Sequence, residues 1–120
     1  MAGNRRAAGT HYEQLAGEFL EKQGYRILAY NYRCRYAEID IVAMEGETLV
    51  FCEVKYRKGD ESGHALEAVD SKKQRRLWYA ALNYLSAKQL TDIPCRFDVL
   101  GITGTTFTLV KDAFQYTGGS

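Results

Sequence analysis

The sequence predicts an α+β domain with two helices packed on one sheet. Three observations point there. Two stretches carry apolar residues at helical spacing, and each opens on a capping pattern. Three strand-like runs follow the first helix, joined by short links. Two more strand-like runs follow the second helix, giving the order αβββαββ. At 120 residues the chain has the size of one domain. A hydrophobic content of 46% and a charged content of 26% exclude whole-chain disorder.

Residues 1–9 are small and basic without periodicity and read as a loose arm ahead of a single domain over residues 10–116. Thr10 and Glu13 make a T-x-x-E capping box. Tyr12, Leu15, Ala16, Phe19 and Leu20 then form one apolar face, and Gly24 is a natural helix stop. The strand-like runs Tyr25–Arg33, Ala37–Met44 and Thr48–Arg57 come next, with a hairpin signal at Glu45-Gly46-Glu47. Their short connections predict antiparallel neighbours. Residues 58–64 form a polar, glycine-bearing loop, and a short helical piece is expected at Leu66–Val69. Ser71 and Gln74 make a second capping pattern, before the apolar stripe Leu77, Ala80, Ala81, Tyr84 and Leu85. Arg96–Thr103 and Thr106–Lys111 read as the last strands, and residues 117–120 as a frayed tail.

The net charge of +1 excludes a strongly basic, histone-like binder, while local clusters leave nucleic acid open. No apolar run approaches the roughly 18–20 residues of a membrane span. No secretory segment is legible near the start, so the expectation is a cytoplasmic protein with no membrane partner. Cys34, Cys52 and Cys95 are too widely spaced for a CxxC pair and read as reduced packing residues. His11 and His64 have no nucleophile beside them and read as surface residues. Neither a GxGxxG, a P-loop nor a GxSxG motif occurs.

The chemistry concentrates on two adjacent strands. By strand alternation Glu38, Asp40, Val42 and Met44 share one face, and Ala37, Ile39, Ile41 and Ala43 the other. Leu49, Phe51, Glu53, Lys55 and Arg57 likewise share a face. A glutamate and a lysine inside an otherwise apolar strand are unusual unless paired or bound to something. A hairpin through Gly46 places Met44 near Thr48 and Asp40 near Cys52 and Glu53. A bulge or small register change there brings both carboxylates to one spot, and a hard divalent cation is the common remedy for their repulsion. Glu18, beside the apolar stripe of the first helix, is a third carboxylate of interest; the structural alternative is a solvated boundary residue. Lys72, Lys73, Arg75 and Arg76 crowd the start of the second helix. Lys73 and Gln74 extend its inward stripe, and Lys72, Arg75 and Arg76 point outward. With Arg33, Arg35, Arg57 and Lys58 near strand ends, these groups are candidate phosphate contacts, or a solvated charged face. Tyr30, Tyr32 and Tyr36 are the aromatic side chains to consider for base stacking.

The ordered series Gly17-Glu18, Ala37-Glu38-Ile39-Asp40 and Phe51-Cys52-Glu53-Val54-Lys55-Tyr56-Arg57 resembles the PD-(D/E)xK nuclease superfamily. With Glu67-Ala68-Val69, Lys73-Gln74 and Arg96-Phe97-Asp98-Val99 added, the chain closely resembles the YraN-like family of uncharacterised bacterial proteins. The resemblance implies a restriction-endonuclease-like αβββαβ core with a mixed sheet flanked by helices. It implies that Asp40 and Glu53 ligate Mg²⁺ or Mn²⁺ and that Lys55 is the catalytic lysine. It likens Glu18 to the helical glutamate of archaeal Holliday-junction resolvases, a further metal ligand and catalytic group. The implied activity is a metal-dependent endonuclease acting on nucleic acid, DNA ahead of RNA, with a homodimer required if it cuts junctions. The alternative is a nucleic-acid-binding or partner-binding module with that fold and no significant turnover. Ala37 and Tyr56 depart from the Gly and Thr common at those places, and neither change removes a reactive group. Asp98 is expected to be structural, paired with a basic group on a neighbouring strand or helix such as Arg57 or Arg96; the functional alternative is an extra carboxylate recruited to the site.

Overall fold

The computed structural model describes residues 11–35, 37–57 and 69–115. The basic arm with Thr10, Tyr36, the loop with Lys58 and His64, the piece at 66–68 and the tail lie outside the described residues. The elements are α1 (His11–Lys22), β1 (Tyr25–Arg33), β2 (Glu38–Glu45), β3 (Thr48–Arg57), α2 (Ser71–Ala87), β4 (Cys95–Thr103) and β5 (Thr106–Phe114). The five strands form one sheet in the order β1-β2-β3-β4-β5. All neighbours are antiparallel except β3 and β4, which run parallel. Two tightly linked hairpin strands can be antiparallel, but a parallel partner needs a crossover, and α2 lies in it. This is the expected αβββαββ order, a mixed α+β sheet compatible with a restriction-endonuclease-like core.

Each helix buries one stripe on one face of the sheet. α1 contributes Ala16 and Leu20 to a cluster with Tyr25, Ile41, Ala43, Val50, Cys52, Leu100 and Ile102. α2 contributes Leu77, Ala80, Ala81 and Tyr84 to a second cluster with Phe51, Phe97, Val99, Val42 and Leu49. Phe97 is its aromatic hub, edge-on to Trp78 at 4.7 Å and stacked on Phe114 at 4.9 Å between centroids. Trp78 is thus a packing residue. α1 lies unusually close to the sheet at Gly17, where an added Cβ would come within 1.9 Å of the Tyr30 hydroxyl. The chain leaves α1 at Gly24, with φ +98°, as its position predicts.

Two local expectations are corrected. α2 is capped by Asp70 rather than by Ser71: its carboxylate accepts from Lys73 N–H at 2.9 Å. Gln74 does not complete a capping box, and its amide instead donates to the Val69 carbonyl at 3.0 Å. The hairpin turn is one residue shorter than the sequence predicts, with Glu45 opposite Thr48 and Met44 opposite Leu49. That register carries Asp40 towards Glu53.

The larger correction concerns strand alternation. Ile41 and Ala43 face α1, yet Ile39 packs with Val42 in the cluster under α2. The face therefore switches between Ile39 and Ile41. On β1 the switch falls at Asn31, between Tyr30 on the α1 side and Tyr32 on the α2 side. Asn31 has φ +52°, the left-handed region that asparagine tolerates better than most residues. Asp40 sits on the pivot itself, between Ile39 and Ile41.

Candidate active site

The β2–β3 ladder ends at Ile41 and Cys52. Beyond it the Asp40 carboxylate takes the place of a backbone partner, accepting from Val54 N–H at 2.8 Å. Glu53 lies on the α2 face of β3 and is only 3% exposed. One of its oxygens, Oε2, meets two ammonium groups. Lys55 Nζ stands 3.2 Å away, from two residues along the same strand, and Lys73 Nζ 2.9 Å away, from the first turn of α2. Asp40, Glu53 and Lys73 line one cleft of about 300 Å³ with Ala37, Glu38, Arg76 and Leu77. Of its acidic residues Glu53 is the buried one, and Lys73 and Arg76, three residues apart on α2, line it as well.

The electrostatics are uneven. Burial, then the Glu53 charge, push the Asp40 carboxyl up to about 8, against the lowering effect of the Val54 N–H. Glu13 pushes in the same direction through its charge and a side-chain hydrogen bond. Two carboxyl groups that share a hydrogen bond need a proton between them. Burial works against the charge of Lys73, but the hydrogen bond and charge of Glu53 outweigh it and raise its pKa.

Glu13 is the site residue that sequence reasoning assigns only to a capping box. It stands on the face of α1 that also carries Ala16, Gly17 and Leu20, at i+3, i+4 and i+7, and those three are buried on the sheet. Asn31 holds it there, its amide donating to Glu13 Oε1 at 3.0 Å and to Glu38 Oε2 at 2.7 Å. The signal is present as helical spacing, and as an asparagine between two tyrosines inside a strand, where that residue is disfavoured. Glu18 occupies a different direction. It is exposed, next to the close approach of Gly17, and its charge acts on Tyr30.

The basic candidates divide. Lys73 and Arg76 line the cleft, Lys73 half-buried and Arg76 exposed at its rim, in the outward direction that helical spacing predicts. Arg33 is 77% exposed and lies 3.5 Å from Glu38 at the cleft edge. Arg35, Lys72 and Arg75 are exposed, Arg57 is half-buried at the end of β3, and Gln74 is engaged at the start of α2. Of the aromatic candidates, Tyr30 packs over Gly17, and Tyr32 donates to Asn83 and meets Tyr84 edge-on. Both are part of the fold. His11 opens α1 at the surface, edge-on to Tyr12 at 5.5 Å.

The donor set fits a hard divalent cation. Asp40 and Glu53 offer carboxylate oxygens, and their mutual repulsion is what a cation would relieve. Among the described residues no three His, Cys, Asp or Glu side chains converge as a closed cage. Mg²⁺ and Mn²⁺ bind through one or two carboxylates and keep water or phosphate oxygens in the remaining positions. No helix among the described residues is long and apolar enough to cross a membrane.

Residues 12–102 match the model of the uncharacterised protein family UPF0102. A UPF0102 protein of Syntrophus aciditrophicus is 46% identical over 111 residues, covering 89% of this chain and 87% of the relative. One of Lachnoclostridium phytofermentans is 47% identical over 116 residues, covering 96% and 98%. One of Pseudomonas syringae is 43% identical over 117 residues, covering 92% and 95%. The matched segment takes in Glu13, Asp40, Glu53, Lys55 and Lys73, the whole of the site. The chain belongs to the UPF0102 family.

Proposed function

We propose that this UPF0102 protein is a metal-dependent nucleic-acid phosphodiesterase of the PD-(D/E)xK type, an endonuclease with DNA ahead of RNA as substrate. The observation that carries the reading is the crowding of Asp40 and Glu53 beside Lys55 in a cleft edged by Lys73 and Arg76. Such a pair of carboxylates costs stability in the free protein, which is expected of a site built for a cation. Asp40 and Glu53 would hold Mg²⁺ or Mn²⁺, with Glu13, in the role the resemblance gives Glu18, orienting Asp40 or adding an oxygen. The ion supplies Lewis-acid stabilisation of the phosphoryl oxygens and lowers the pKa of a bound water. Lys55, held on Glu53, orients the attacking water and offsets charge on the scissile phosphate. Arg76 and Arg33 hold neighbouring phosphates. The implied products carry a 5′-phosphate and a 3′-hydroxyl. Nothing at the cleft resembles a base-reading helix, so selectivity would come from nucleic-acid shape. A cytoplasmic location, and a homodimer where a four-way junction is the substrate, belong to the same proposal.

A second reading, a binding module without turnover, draws on the proton that Asp40 retains near neutral pH and on the lack of a closed ligand cage among the described residues. One experiment separates the two. Pure protein is incubated with linear, branched and single-stranded DNA and RNA in Mn²⁺, Mg²⁺ or EDTA, alongside Glu53→Gln and Asp40→Asn. Divalent-dependent cleavage lost in both variants supports the nuclease. Binding without cleavage of any substrate, unaltered by either substitution, overturns it.

A further inference from the structure

Glu53 has more counter-charge than it needs. It is one carboxylate, 3% exposed, and both ammonium groups address the same oxygen, Oε2. A single well-placed cation would neutralise it. The two lysines are not equivalent in how they are held. Lys55 belongs to β3 itself, and its side chain is 22% exposed. Lys73 comes from the opposing helix, is 34% exposed, and lines the open cleft on a flexible stem. It can leave Glu53 without disturbing a strand. Asp40 and Glu53 line the same cleft as Lys73, so a divalent cation entering there meets its ammonium, and like charges at salt-bridge range repel strongly where water is scarce.

We infer that Lys73 is a resident counter-ion of the metal-free site, occupying Glu53 until a divalent cation displaces it into the cleft. The inference rests on the metal site proposed above and goes beyond it, assigning Lys73 to occupancy control rather than to phosphate binding alone. In the free protein Lys73 satisfies a buried carboxylate that would otherwise be under-compensated. On metal entry the ion takes over that role, and the ammonium moves out into solvent. Lys73 is a positioning residue in this account. It sets the cost of loading the site without taking part in bond breaking.

Two measurements without nucleic acid test this. The first is calorimetric titration of Mn²⁺ into the wild type, Lys73→Met and Lys73→Arg, each checked for folding by circular dichroism. Lys73→Met should bind Mn²⁺ about tenfold more tightly, the order expected for one unit charge removed at this range after screening. Lys73→Arg, which keeps the charge, should bind as the wild type does. The second uses the wild type alone: labelling of Lys73 by an amine-reactive reagent, read by mass spectrometry, should rise several-fold on adding Mg²⁺. Metal binding by the wild type with no gain in Lys73→Met, or with unchanged labelling, overturns the inference and leaves the metal site standing. Absence of metal binding in all three proteins overturns both.

Discussion

Asp98 and Glu53 are the two buried acidic side chains of the sheet, and they are treated in opposite ways. Asp98 is fully buried on the α1 face and has matched partners for both oxygens. It accepts from Tyr25 Oη at 2.7 Å, Arg96 Nε at 2.8 Å, Arg96 Nη2 at 3.2 Å and Asp112 N–H at 2.9 Å. Arg96 also donates to Glu45, which Lys111 holds at 2.8 Å. Two carboxylates face two cations, and the network closes on itself. The consequences are consistent: Lys111 and Arg96 hold the Glu45 carboxyl below its ordinary range, and burial, with Asp98, raises the Tyr25 hydroxyl. Five residues back along β2 from Glu45, roughly 17 Å at a strand's rise, Asp40 meets Glu53 and Glu13, and burial first, then both carboxylates, push its proton affinity up. Buried charge that is fully paired holds a fold; buried charge left crowded marks a place where something else is meant to bind.

The sharpest break would come from stability. Asp98→Ala strips a closed network and strands Arg96, and should cost about 3–5 kcal/mol in urea denaturation. Glu53→Gln in EDTA should stay within about 1 kcal/mol of the wild type, because Lys55 and Lys73 can both reach solvent. Equal losses would make Glu53 a structural ion-pair partner and erase the distinction.

Next in size is catalysis. Lys55→Ala should lower divalent-dependent cleavage by about a hundredfold or more while leaving the thermal midpoint nearly unchanged. Tyr25→Phe should do the reverse, losing stability and keeping cleavage. A Tyr25→Phe variant that folds normally and does not cleave would join the two regions functionally.

A smaller effect concerns pH. The folded protein keeps a proton on Asp40 up to about pH 8 that the unfolded chain releases near pH 4. The folded state therefore binds more protons between those values, and stability falls as pH rises through that window. In EDTA the thermal midpoint of the wild type should fall relative to Asp40→Asn as the pH is raised from about 5 to about 8.5. Parallel pH profiles would show that Asp40 is ionised and compensated in the folded protein.

The smallest effect is at the cleft edge. Arg76→Gln should weaken DNA binding a few-fold across all sequences and lower the salt slope by about 1. Lys111→Gln, outside the cleft, should leave both unchanged. A larger change from Lys111 would move the binding surface to the Asp98 side.

Much of this arrangement is legible in the amino-acid sequence. The element order follows from capping signals, helical spacing and strand-like runs. Glu53 and Lys55 share a face because two residues on a strand always do. Asp98 beside Arg96 follows from the same rule, and the structure chooses Arg96 over Arg57 as its partner. Asp40 is harder, since simple alternation assigns Ile39 and Ile41 to one face and the structure separates them. Only the left-handed turn of Asn31, across the ladder, reveals the switch.

What the sequence determines by itself is therefore whatever depends on near neighbours along the chain: where helices and strands lie, which residues alternate, and which charges sit on an apolar strand. What only the tertiary structure decides is which parts of different elements meet. Glu13 rather than Glu18 reaches Asp40 because α1 settles on Tyr30 at Gly17, which turns the Ala16–Leu20 face and Glu13 with it toward the sheet. Arg76, exposed as it is, borders the cleft because Leu77 and Ala80 set how α2 lies on Phe97 and Val99. A docking angle is set by side-chain volumes far apart in sequence, and no local periodicity encodes it.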